Sequence, residues 1–544
     1  MAAQRTENGS ARKPSSFAEA FYARTDHDST FLVELDHEHG TRREWTVGAW
    51  RDRVTATAAW LGDRGIREGD SVATLAGNTA DALAVAYACW VAGACCVPLN
   101  PHETAEQHEY ILHDASAAVL VYSPSVRERP PGPPARAVPV TDLPLREPDR
   151  ARQAGARRQT PEVGAAPLDA EALRVYTSGT TGAPKGVVLS AANILADCEA
   201  LARGLGWSRS TRILTVLPIH HVNGLIISSL LPWLSGLSTV LCDRFRSDTF
   251  WRDADAEGAT VCSLVPSLLE FLLDTGGGAP TGFDEVLCGA GPLLVDTVLA
   301  FEERFGVPVR HLYGLSETTA VATLMPRLPE QQRRTWHQDL GFPSIGPALP
   351  WLEVRVTDQQ GVPLPAGERG ELAIRGPVVM SGYAGNPDAT ARAFHGEWFR
   401  SGDEGFWHPG PDGLPYFFIT GRLKELIIRG GVNVSPFEVD DVLHSHPAVR
   451  HGLAFPFDNR YYGEEIAAYV VLHDGSQVRE DDILAHCRSR LDHAKCPKLV
   501  VFGEDVPYTA TGKAKRLELA RELAPTLAEY RDVRFRREPQ PEHR

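Results

Sequence analysis

Residues 176–186 read Tyr-Thr-Ser-Gly-Thr-Thr-Gly-Ala-Pro-Lys-Gly, a composition that suits the binding of an anion. Seven of these eleven residues are Thr, Ser or Gly, one is Lys, and none is acidic. Hydroxyls and unobstructed backbone N–H groups donate hydrogen bonds to phosphate, and one ammonium adds positive charge. A Walker A loop is excluded, because Lys185 precedes Gly186 and not a hydroxyl residue. The segment is predicted to be a phosphate loop of another kind, with a flexible linker as the alternative.

Four more polar segments contain residue types that could bind the rest of a nucleotide. They read Tyr-Gly-Leu-Ser-Glu-Thr-Thr at 313–319, Ser-Gly-Asp at 401–403, Gly-Arg-Leu-Lys-Glu at 421–425 and Pro-Tyr-Thr-Ala-Thr-Gly-Lys at 507–513. An aromatic ring can stack on a purine, a hydroxyl can bond phosphate, and a carboxylate can hold Mg²⁺ or two ribose hydroxyls. We expect the first two segments at the ends of strands, the third beside a domain boundary and the fourth in a polar loop.

The residues around the phosphate loop predict a strand before it and a helix after it. Leu173, Val175 and Tyr176 have the character of a short buried strand. Ser190 fits the N-cap of a helix that ends near Gly206. The apolar positions of that helix are Ile194, Leu195, Cys198, Leu201 and Leu205. The predicted order is therefore strand, glycine-rich loop and helix, which is common in nucleotide-binding proteins.

The wider chain predicts an α/β protein of several units. Helix and strand patterns alternate over 51–99 and again from 171 to about 320, which indicates parallel α/β layers. Strand patterns then occur at 353–357, 371–375 and 416–419. The turn at 411–413 predicts a hairpin. From 421 onward, about 110 residues suffice for a small α/β domain.

Size, charge and composition exclude several classes of protein. A chain of 544 residues is too long for one ordinary core, and its net charge of −15 argues against nucleic acid as the main partner. Nine cysteines show no metal-binding spacing, which suits reduced and buried thiols in the cytoplasm. The polar residues 1–16 predict a disordered tail and not a signal peptide. The apolar run 225–241 is interrupted by Pro232 and Gly236, so we expect it in the core and not in a membrane.

Eight segments in order along the chain resemble the motifs of one enzyme superfamily. They are the phosphate loop and the segments 218–224, 289–292, 313–319, 370–376, 401–403, 421–438 and 507–513. From about residue 40 to 520 the chain resembles the adenylate-forming (ANL) superfamily, in particular its acyl-CoA synthetases and 4-coumarate–CoA ligases. One such motif is weak evidence, whereas eight motifs in the family's order are strong evidence.

The resemblance implies an α/β fold with two domains. The large N-terminal domain would contain two α/β layers and a β-barrel-like subdomain, and the small mobile C-terminal domain would be α+β. The implied boundaries are 17–421 and 422–540, after the tail 1–16. Lys424 would stand at the hinge between the two domains.

The resemblance also implies a two-step reaction that uses ATP, Mg²⁺ and coenzyme A. A carboxylate attacks the α-phosphate of ATP, which gives an acyl-adenylate and pyrophosphate, and a thiol then displaces AMP. Because the first step brings an anion to a polyanion, cations must neutralise the phosphate charge. The expected protein is an AMP-forming acid–CoA ligase that acts on a small carboxylic acid, and its oligomeric state stays open.

Motif positions imply a role for each nucleotide-binding residue. The phosphate loop would wrap the β- and γ-phosphates with Thr177, Ser178, Gly179, Thr180, Thr181, Gly182 and Lys185. The adenine and cofactor-binding set would comprise Tyr313 as the stacking ring, with Gly289, Ala290, Gly291, Gly314 and Thr318. Ser316 would contact the α-phosphate, Glu317 would hold Mg²⁺, and Asp403 would bind the ribose hydroxyls. Arg422 would reach ribose or phosphate, and Lys513 would bridge the carboxylate and the α-phosphate during adenylation.

Further positions are implied for the thiol and for the acid. Gly430 and Gly431 would line the pantetheine tunnel after the small domain turns, and Asn433 would lie near the reacting centre. His221 fits the histidine that gates the acyl pocket, whereas for His220 pocket lining and core packing are equally open. The other pocket positions are Asn223, Gly224, Ser263, Pro266, Gly289, Gly314, Val321 and Ala322. The glycines predict room for a ring or a chain, and the His and Asn side chains favour an aryl or functionalised acid.

Two other functions stay open at the level of the sequence. The enzyme could load the thiol of a separate carrier protein, although no carrier domain or Gly-x-Asp-Ser motif follows Lys513. The second alternative is a thioester-forming or binding protein that has lost adenylation. The presence of Glu317, Asp403, Arg422 and Lys513 argues against it. Trp351 departs from the resemblance, because a glycine is common at that position.

Overall fold

A computed structural model describes residues 13–126, 136–144, 166–177, 184–329, 331–333, 336, 340–508 and 514–535. Four sheets organise this part of the chain. The predicted α/β class is confirmed, with a large N-terminal unit and a small C-terminal unit that has a core of its own. Ser16, the last residue of the predicted tail, caps the helix Phe17–Tyr22, and residues 1–12 lie outside the described part.

The first sheet has eight strands, of which the six central ones are parallel. Across the sheet the strands are Thr323–Leu324, Val309–Tyr313, Glu285–Cys288, Val261–Leu264, Arg212–Thr215, Ser238–Cys242, Thr30–Asp36 and Thr41–Thr46. The central strands are short, apolar and buried, as expected for a parallel sheet that is covered on both faces. The carboxyl ends of these parallel strands meet at one edge, which is where α/β proteins bind ligands.

The second sheet has seven strands and carries the phosphate loop. Its strands in order are Gly382–Tyr383, Lys185–Ser190, Glu171–Thr177, Cys95–Leu99, Ser71–Leu75, Val119–Tyr122 and Arg136–Pro139. The alternation predicted over 51–99 is confirmed, because the helices Val47–Asp63 and Ala80–Ala92 alternate with two of these strands.

The phosphate loop joins two antiparallel strands, which corrects the predicted order of strand, loop and helix. Glu171–Thr177 leads into the loop and Lys185–Ser190 returns beside it, so that Thr177 and Lys185 are direct neighbours. The second strand was missed because a short apolar run fits either a strand or the start of a helix. The predicted helix itself is confirmed as Ala191–Leu205, with Ser190 as its N-cap and Gly206 (φ 63°) at its end.

One core joins the two sheets, and the helix Ala80–Ala92 runs through it. This helix is apolar all round, and nearly all of its side chains are buried. Its Leu83 belongs to the same core as Val72 of the second sheet and Leu312 of the first. The other α-helices of the large unit are Ala105–Asp114, Leu231–Leu234, Phe250–Ala256, Pro266–Asp274, Val295–Phe305 and Pro387–Ala393. A π-helix covers Asn223–Leu230, and 3₁₀ turns cover Val140–Asp142 and Ser316–Thr318.

The third sheet is antiparallel and corresponds to the predicted barrel-like part. Its strands are Ser344–Gly346, Pro415–Arg422, Trp398–Pro409, Gly370–Arg375 and Glu353–Thr357, and Phe394–His395 pairs with the third of them. The predicted hairpin at 411–413 is confirmed. Asp403 lies inside a long strand and not at a strand end as predicted, because the strand continues through Gly402, a residue that tolerates its φ of 74°.

The C-terminal unit packs three helices on a five-stranded sheet. Its strands are Val432–Val434, Ile427–Arg429, Gly463–Leu472, Val449–Asn459 and Leu499–Phe502. Its helices are Pro436–His444, Glu480–Arg488 and Arg516–Leu527, followed by the 3₁₀ turn Ala528–Tyr530. The unit contacts the large one through pairs such as Arg450 with Asp274, whose side-chain atoms lie 3.4 Å apart.

Buried apolar segments and thiols behave as the sequence predicts. The run 225–241 is largely buried in the core, and none of the helices in the described ranges is long and apolar enough to cross a membrane. All nine cysteines are free and buried. They contribute to the core as small apolar side chains.

Candidate active site

Tyr313, Asp403 and Arg422 form a hydrogen-bonded cluster between the first and third sheets. Tyr313 ends its strand, and Asp403 and Arg422 are direct cross-strand partners. The Tyr313 hydroxyl donates to Asp403 Oδ2 at 2.7 Å, and Arg422 Nε lies 3.1 Å from Asp403 Oδ1. Burial and then the Asp403 carboxylate raise the pKa of Tyr313, so its hydroxyl stays a donor. The cluster therefore places one ring, one carboxylate and one guanidinium together.

Glu317 continues this cluster toward the phosphate loop. It lies close enough to Arg422 for its negative charge to help raise the pKa of that guanidinium, after the larger effect of Asp403. The hydroxyl of Tyr383 donates to Glu317 Oε1 at 2.8 Å. The ammonium of Lys185 lies 4.8 Å from the centre of the Tyr383 ring. Lys185, Tyr383 and Glu317 thus lie next to one another, and the charge of Glu317 acts on the nearby Arg422 of the Asp403 pair.

Tyr383 was not predicted from the sequence. It lies on the edge strand Gly382–Tyr383, and the pairing of that strand with Lys185–Ser190 brings its ring beside the phosphate loop. Burial, followed by the Glu317 carboxylate, raises the pKa of Tyr383. Its own neighbours in the sequence carry no charge and no motif spacing, so only the strand pairing could reveal it.

Glu317 fits the predicted role of a Mg²⁺ ligand. The side chain is partly exposed, and Tyr383 occupies only one of its two carboxylate oxygens. The other oxygen, Oε2, has no hydrogen bond to the part of the chain that the structure describes, and a hard divalent cation prefers oxygen ligands of this kind. Ser316, the neighbouring residue, is also partly exposed.

The backbone around Glu317 is tightly constrained. Thr319 has a φ of 63°, which is rare for a β-branched residue, and its hydroxyl donates to the carbonyl of Val378 at 2.8 Å. The Thr318 hydroxyl bonds the backbone of Leu315, so it shapes the turn and is not directed outward. Ala290 also has a positive φ of 65°. Strained residues of this kind persist where the surrounding contacts hold them, often at functional sites.

Glycine is required at three positions of the predicted acyl pocket because neighbouring backbone leaves no space for a Cβ, which the sequence does not reveal. A Cβ on Gly289 would lie 2.5 Å from the carbonyl oxygen of Leu312, and one on Gly314 would lie 2.1 Å from that of Ala320. A Cβ on Gly224 would meet the carbonyl oxygen of Pro218 at 2.4 Å. The space beside Gly289 and Gly314 is therefore filled by backbone. The prediction that they leave room for a ring or a chain is wrong.

Asp197 is buried and, like Tyr383, was not predicted from the sequence. It lies on the helix Ala191–Leu205, is fully buried, and accepts the backbone N–H of Val321 at 3.1 Å. Burial raises the pKa of Asp197 to about 8, because no cation compensates its charge in the described surroundings. Its carboxyl group positions the backbone that follows Glu317.

Replacing Asp197 with asparagine is expected to change how stability depends on pH. The folded wild type keeps a proton that the unfolded chain releases above pH ~4, so its free energy of unfolding falls as pH rises toward about 8. Asparagine cannot ionise, so the free energy of unfolding of the variant does not fall in this way. It rises relative to that of wild type by up to about 1.4 kcal/mol per pH unit in this range. Thermal unfolding at several pH values measures the difference. The exposed variant Asp474→Asn is the control, and a parallel pH profile for Asp197→Asn and wild type would contradict the role of burial.

Several predicted pocket residues have buried polar atoms without a partner. They are His220 Nε2, Asn223 Oδ1 and Ser263 Oγ, none of which has a hydrogen bond among the described residues. Burial keeps His220 neutral by lowering its pKa well below the usual value, and the ring of His221 lies 4.4 Å away. A buried polar group without a hydrogen bond is costly, so a polar ligand group is the natural partner.

Other predicted pocket residues are also close to one another. A Cβ on Gly291 would lie 3.4 Å from the Pro266 ring, which begins the helix Pro266–Asp274. Val321 is fully buried and packs against Gly314. Gly291 therefore lies against the start of this helix, and Val321 lies against the turn after Tyr313.

Other predicted site residues are either exposed or outside the described part. Ser178, Gly179, Thr180, Thr181, Gly182 and Lys513 lie outside the described residues. Gly430, Gly431 and Asn433 form an exposed turn, and Lys424 is exposed between the third sheet and the C-terminal unit. Among the described residues, no hydrogen bond, ion pair or ring contact joins this turn to Asp403.

Trp351 is half-exposed and lies against the Arg203 side chain, whose guanidinium carbon is 4.7 Å from the ring centre. Its φ of 67° explains why glycine suits this position, because a left-handed backbone costs a side-chain residue about 1 kcal/mol. The departure from the family pattern is thus a surface feature.

Comparison with known proteins agrees with this geometry. The sequence matches the AMP-binding enzyme family over residues 19–384 and the AMP-binding enzyme C-terminal domain over residues 438–513. A sulfoacetate–CoA ligase from Cupriavidus necator is 38% identical over 353 residues, which is 64% of this chain and 67% of that protein. An oxalate–CoA ligase from Arabidopsis thaliana is 33% identical over 483 residues, 85% of this chain and 90% of that protein.

A solved structure shows the same fold over almost the whole chain. The crystal structure of ATP-bound MatB from Rhodopseudomonas palustris superposes with a TM-score of 0.79 at 26% identity, covering 94% of this chain and 99% of that one. The large and small units therefore have the architecture of the adenylate-forming enzymes. The chain belongs to the AMP-binding enzyme family, as an AMP-forming acid–thiol ligase that uses ATP, Mg²⁺ and coenzyme A.

Proposed function

We propose that this enzyme activates an aryl or otherwise functionalised carboxylic acid as its acyl-adenylate and passes the acyl group to coenzyme A. One observation carries the proposal: Lys185, Glu317, Asp403 and Arg422 come from separate motifs and lie in one connected group. Two carboxylates and two cations in that arrangement suit a nucleotide with a metal ion, since both the ribose and the phosphates find partners.

The chain's own groups bind and orient ATP in the first step. The Tyr313 ring offers a face for adenine, and Asp403, held by Tyr313 and Arg422, accepts the ribose hydroxyls. Lys185 brings positive charge from the phosphate loop. Bound Mg²⁺ neutralises phosphate charge, and Glu317 would hold it.

Lys513 is assigned to the α-phosphate on the strength of its motif and of its described neighbours. Tyr508 and Ala514 form a bridge between the two ends of its loop. Tyr508 lies on the side that faces the large unit, since its ring is 6.4 Å from that of His451, which in turn lies 3.3 Å from Glu270 of the large unit. Glu270 belongs to the helix Pro266–Asp274, so the residue before the Lys513 loop lies near the helix that begins with the predicted pocket residue Pro266.

The nature of the acid is inferred from the unpaired polar atoms of the pocket. His220 Nε2, Asn223 Oδ1 and Ser263 Oγ could each be satisfied by a hydroxyl, an amide or a similar group of the substrate. A plain fatty acid would leave all three unpaired, at a cost of roughly 1–3 kcal/mol for each buried group. Because His220 is neutral, it offers a hydrogen bond and not a fixed charge.

A panel of acids tests the proposal directly. ATP–pyrophosphate exchange is measured with hydroxylated aryl acids, their unsubstituted analogues, short dianionic acids and straight-chain fatty acids. We expect the hydroxylated aryl acids to give the highest kcat/KM, by about 10-fold or more over the unsubstituted analogues. Preference for the fatty acids would contradict the assignment of the pocket, and no exchange with any acid would favour a protein that has lost adenylation.

The acceptor is tested separately from the acid. The acyl-adenylate formed with the best acid is offered coenzyme A or a holo-carrier protein, and thioester formation is followed for each. We expect coenzyme A to be acylated. Acylation of the carrier protein alone would support the alternative in which the enzyme loads a carrier.

Lys424→Pro is expected to slow the thiol step and to spare adenylation. The exposed Lys424 follows the Arg422 strand at the proposed hinge, and its backbone N–H makes no hydrogen bond with the described residues. Proline fixes φ, so the small domain could no longer turn freely between the two steps. Thioester formation should fall by about 10-fold or more, while pyrophosphate exchange should stay within about twofold.

The variant Lys424→Ala is the matched control for this experiment. It removes the same charge and keeps the backbone free, so it should retain both half-reactions. If the proline variant transfers the acyl group to coenzyme A as fast as wild type, the hinge does not lie at Lys424.

A further inference from the structure

Three potential metal ligands meet where the C-terminal unit contacts the large unit. Glu270 belongs to the helix Pro266–Asp274, His444 ends the helix Pro436–His444, and His451 lies on the strand Val449–Asn459. One ligand atom from each of these side chains lies within 4.8 Å of the other two. His451 Nδ1 is 3.3 Å from Glu270 Oε2. The cluster lies outside the residues assigned to ATP, and it combines side chains of both units.

Each of the two histidines has a ring nitrogen that could bind a metal ion. His444 Nδ1 donates to the carbonyl of Asp440 at 2.8 Å, which leaves Nε2 with a lone pair. That lone pair accepts the backbone N–H of Gly452 in a long hydrogen bond of 3.4 Å, which a metal ion would have to replace. His451 is 7% exposed, and its Nδ1 has no hydrogen bond among the described residues although Glu270 is close. A histidine held through its other nitrogen by a backbone carbonyl is the usual arrangement of a metal ligand.

We propose that Glu270, His444 and His451 bind a divalent transition-metal ion of the Zn²⁺ type. Two imidazoles and one carboxylate form a donor set that suits Zn²⁺ and leaves a fourth position for water. Mg²⁺ prefers oxygen ligands alone, so the ion at this site differs from the one that accompanies ATP.

The dimensions of the cluster are compatible with one ion. Bond lengths of about 2.0–2.1 Å place tetrahedral ligand atoms roughly 3.3 Å apart. The His451–Glu270 separation of 3.3 Å already meets this value. The His444 ligand atom lies within 4.8 Å of the other two, and its side chain is only partly buried, so a small rotation can bring it to bonding distance of the ion.

Metal binding would stabilise the observed placement of the C-terminal unit. The ion takes one ligand from the large unit and two from the small unit. It therefore binds this arrangement more tightly than any arrangement in which the two units have separated. The effect on catalysis rests on the proposed function: if the small domain must turn for the thiol step, the ion slows that step. The existence of the site does not depend on the reaction.

Cobalt binding to the full-length protein tests the site without using activity. Metal-free protein is titrated with Co²⁺ in the absence of ATP, and the visible absorption of tetrahedral Co²⁺ is recorded, followed by displacement with Zn²⁺. We expect one equivalent to bind. Glu270→Gln and His444→Gln should each weaken Co²⁺ binding by about 10- to 100-fold or more. Both positions are partly exposed, so these variants are expected to fold even if a change at the buried His451 is not tolerated.

His446→Gln is the matched control, because His446 is a neighbouring histidine whose ring packs on His486 at 4.9 Å. This variant should bind Co²⁺ as wild type does. The absence of a tetrahedral spectrum, or equal affinity in wild type and Glu270→Gln, would overturn the proposal. Limited trypsin digestion after the exposed Lys424 gives a second readout: Zn²⁺ should protect wild type and His446→Gln but not Glu270→Gln. Equal protection of all three would exclude a site shared by the two units.

Discussion

Replacing Lys513 with alanine is expected to lower the rate of acyl-adenylate formation by roughly 100-fold or more. The change removes the cation proposed to neutralise the attacking carboxylate and the α-phosphate together. Thioester formation from a supplied acyl-adenylate should be nearly unchanged, because a thiol and not a carboxylate attacks in that step. ATP–pyrophosphate exchange measures the first half-reaction, and acylation of coenzyme A from synthetic acyl-adenylate measures the second.

Lys515→Ala is the control for this experiment. Lys515 lies two residues further along, is partly exposed, and pairs with Glu518 at 3.2 Å. Its loss should leave both half-reactions intact, since surface ion pairs of this kind contribute little. An equal loss of both half-reactions in Lys513→Ala would contradict the assigned role, because it would indicate a general defect of the enzyme.

Asp403→Asn is expected to weaken ATP binding by about 10- to 100-fold, which corresponds to the loss of charge-assisted hydrogen bonds. The substitution removes the negative charge of the carboxylate. That carboxylate lies 3.1 Å from Arg422 Nε and accepts a hydrogen bond from the Tyr313 hydroxyl at 2.7 Å. Both partners would lose their fixed orientation, so the ribose and adenine contacts would weaken together. Equilibrium binding of ATP, with the KM for ATP, measures the effect.

Glu404→Gln provides a control on the adjacent position of the same strand. Successive side chains of a strand point to opposite faces, and Glu404 accepts the Thr420 hydroxyl at 2.8 Å. The control removes the same charge from the other face and should leave ATP binding within about twofold of wild type. Equal weakening by Asp403→Asn and Glu404→Gln would show that overall charge, and not the Tyr313–Asp403–Arg422 cluster, governs binding.

The order and chemistry of the motifs were readable from the sequence because they depend on short local patterns. The α/β class, the helix Ala191–Leu205 with its Ser190 cap, and the hairpin at 411–413 all follow from periodicity and turn residues. The family and the reaction class are confirmed by the comparisons. The roles of individual residues, Lys513 among them, stay predictions.

Contacts between distant segments were not readable. The ring of Tyr383 reaches Glu317 only because an edge strand pairs with Lys185–Ser190, and nothing local to Tyr383 encodes that pairing. Asp197 resembles any polar position of an amphipathic helix until the fold buries it against the backbone of Val321. Gly314 was misread as free space, because the carbonyl oxygen that excludes a Cβ there belongs to the returning chain at Ala320.

The sequence by itself therefore determined which chemical groups this enzyme has and in what order they occur, since spacing within a motif is a local property. The tertiary structure decided which of those groups act together. It paired the two strands that flank the phosphate loop, placed Asp403 inside a strand opposite Arg422, and brought Glu270 close to His444 and His451 of the other unit. Strand register and domain packing depend on side chains far apart along the chain, so no local pattern specifies them.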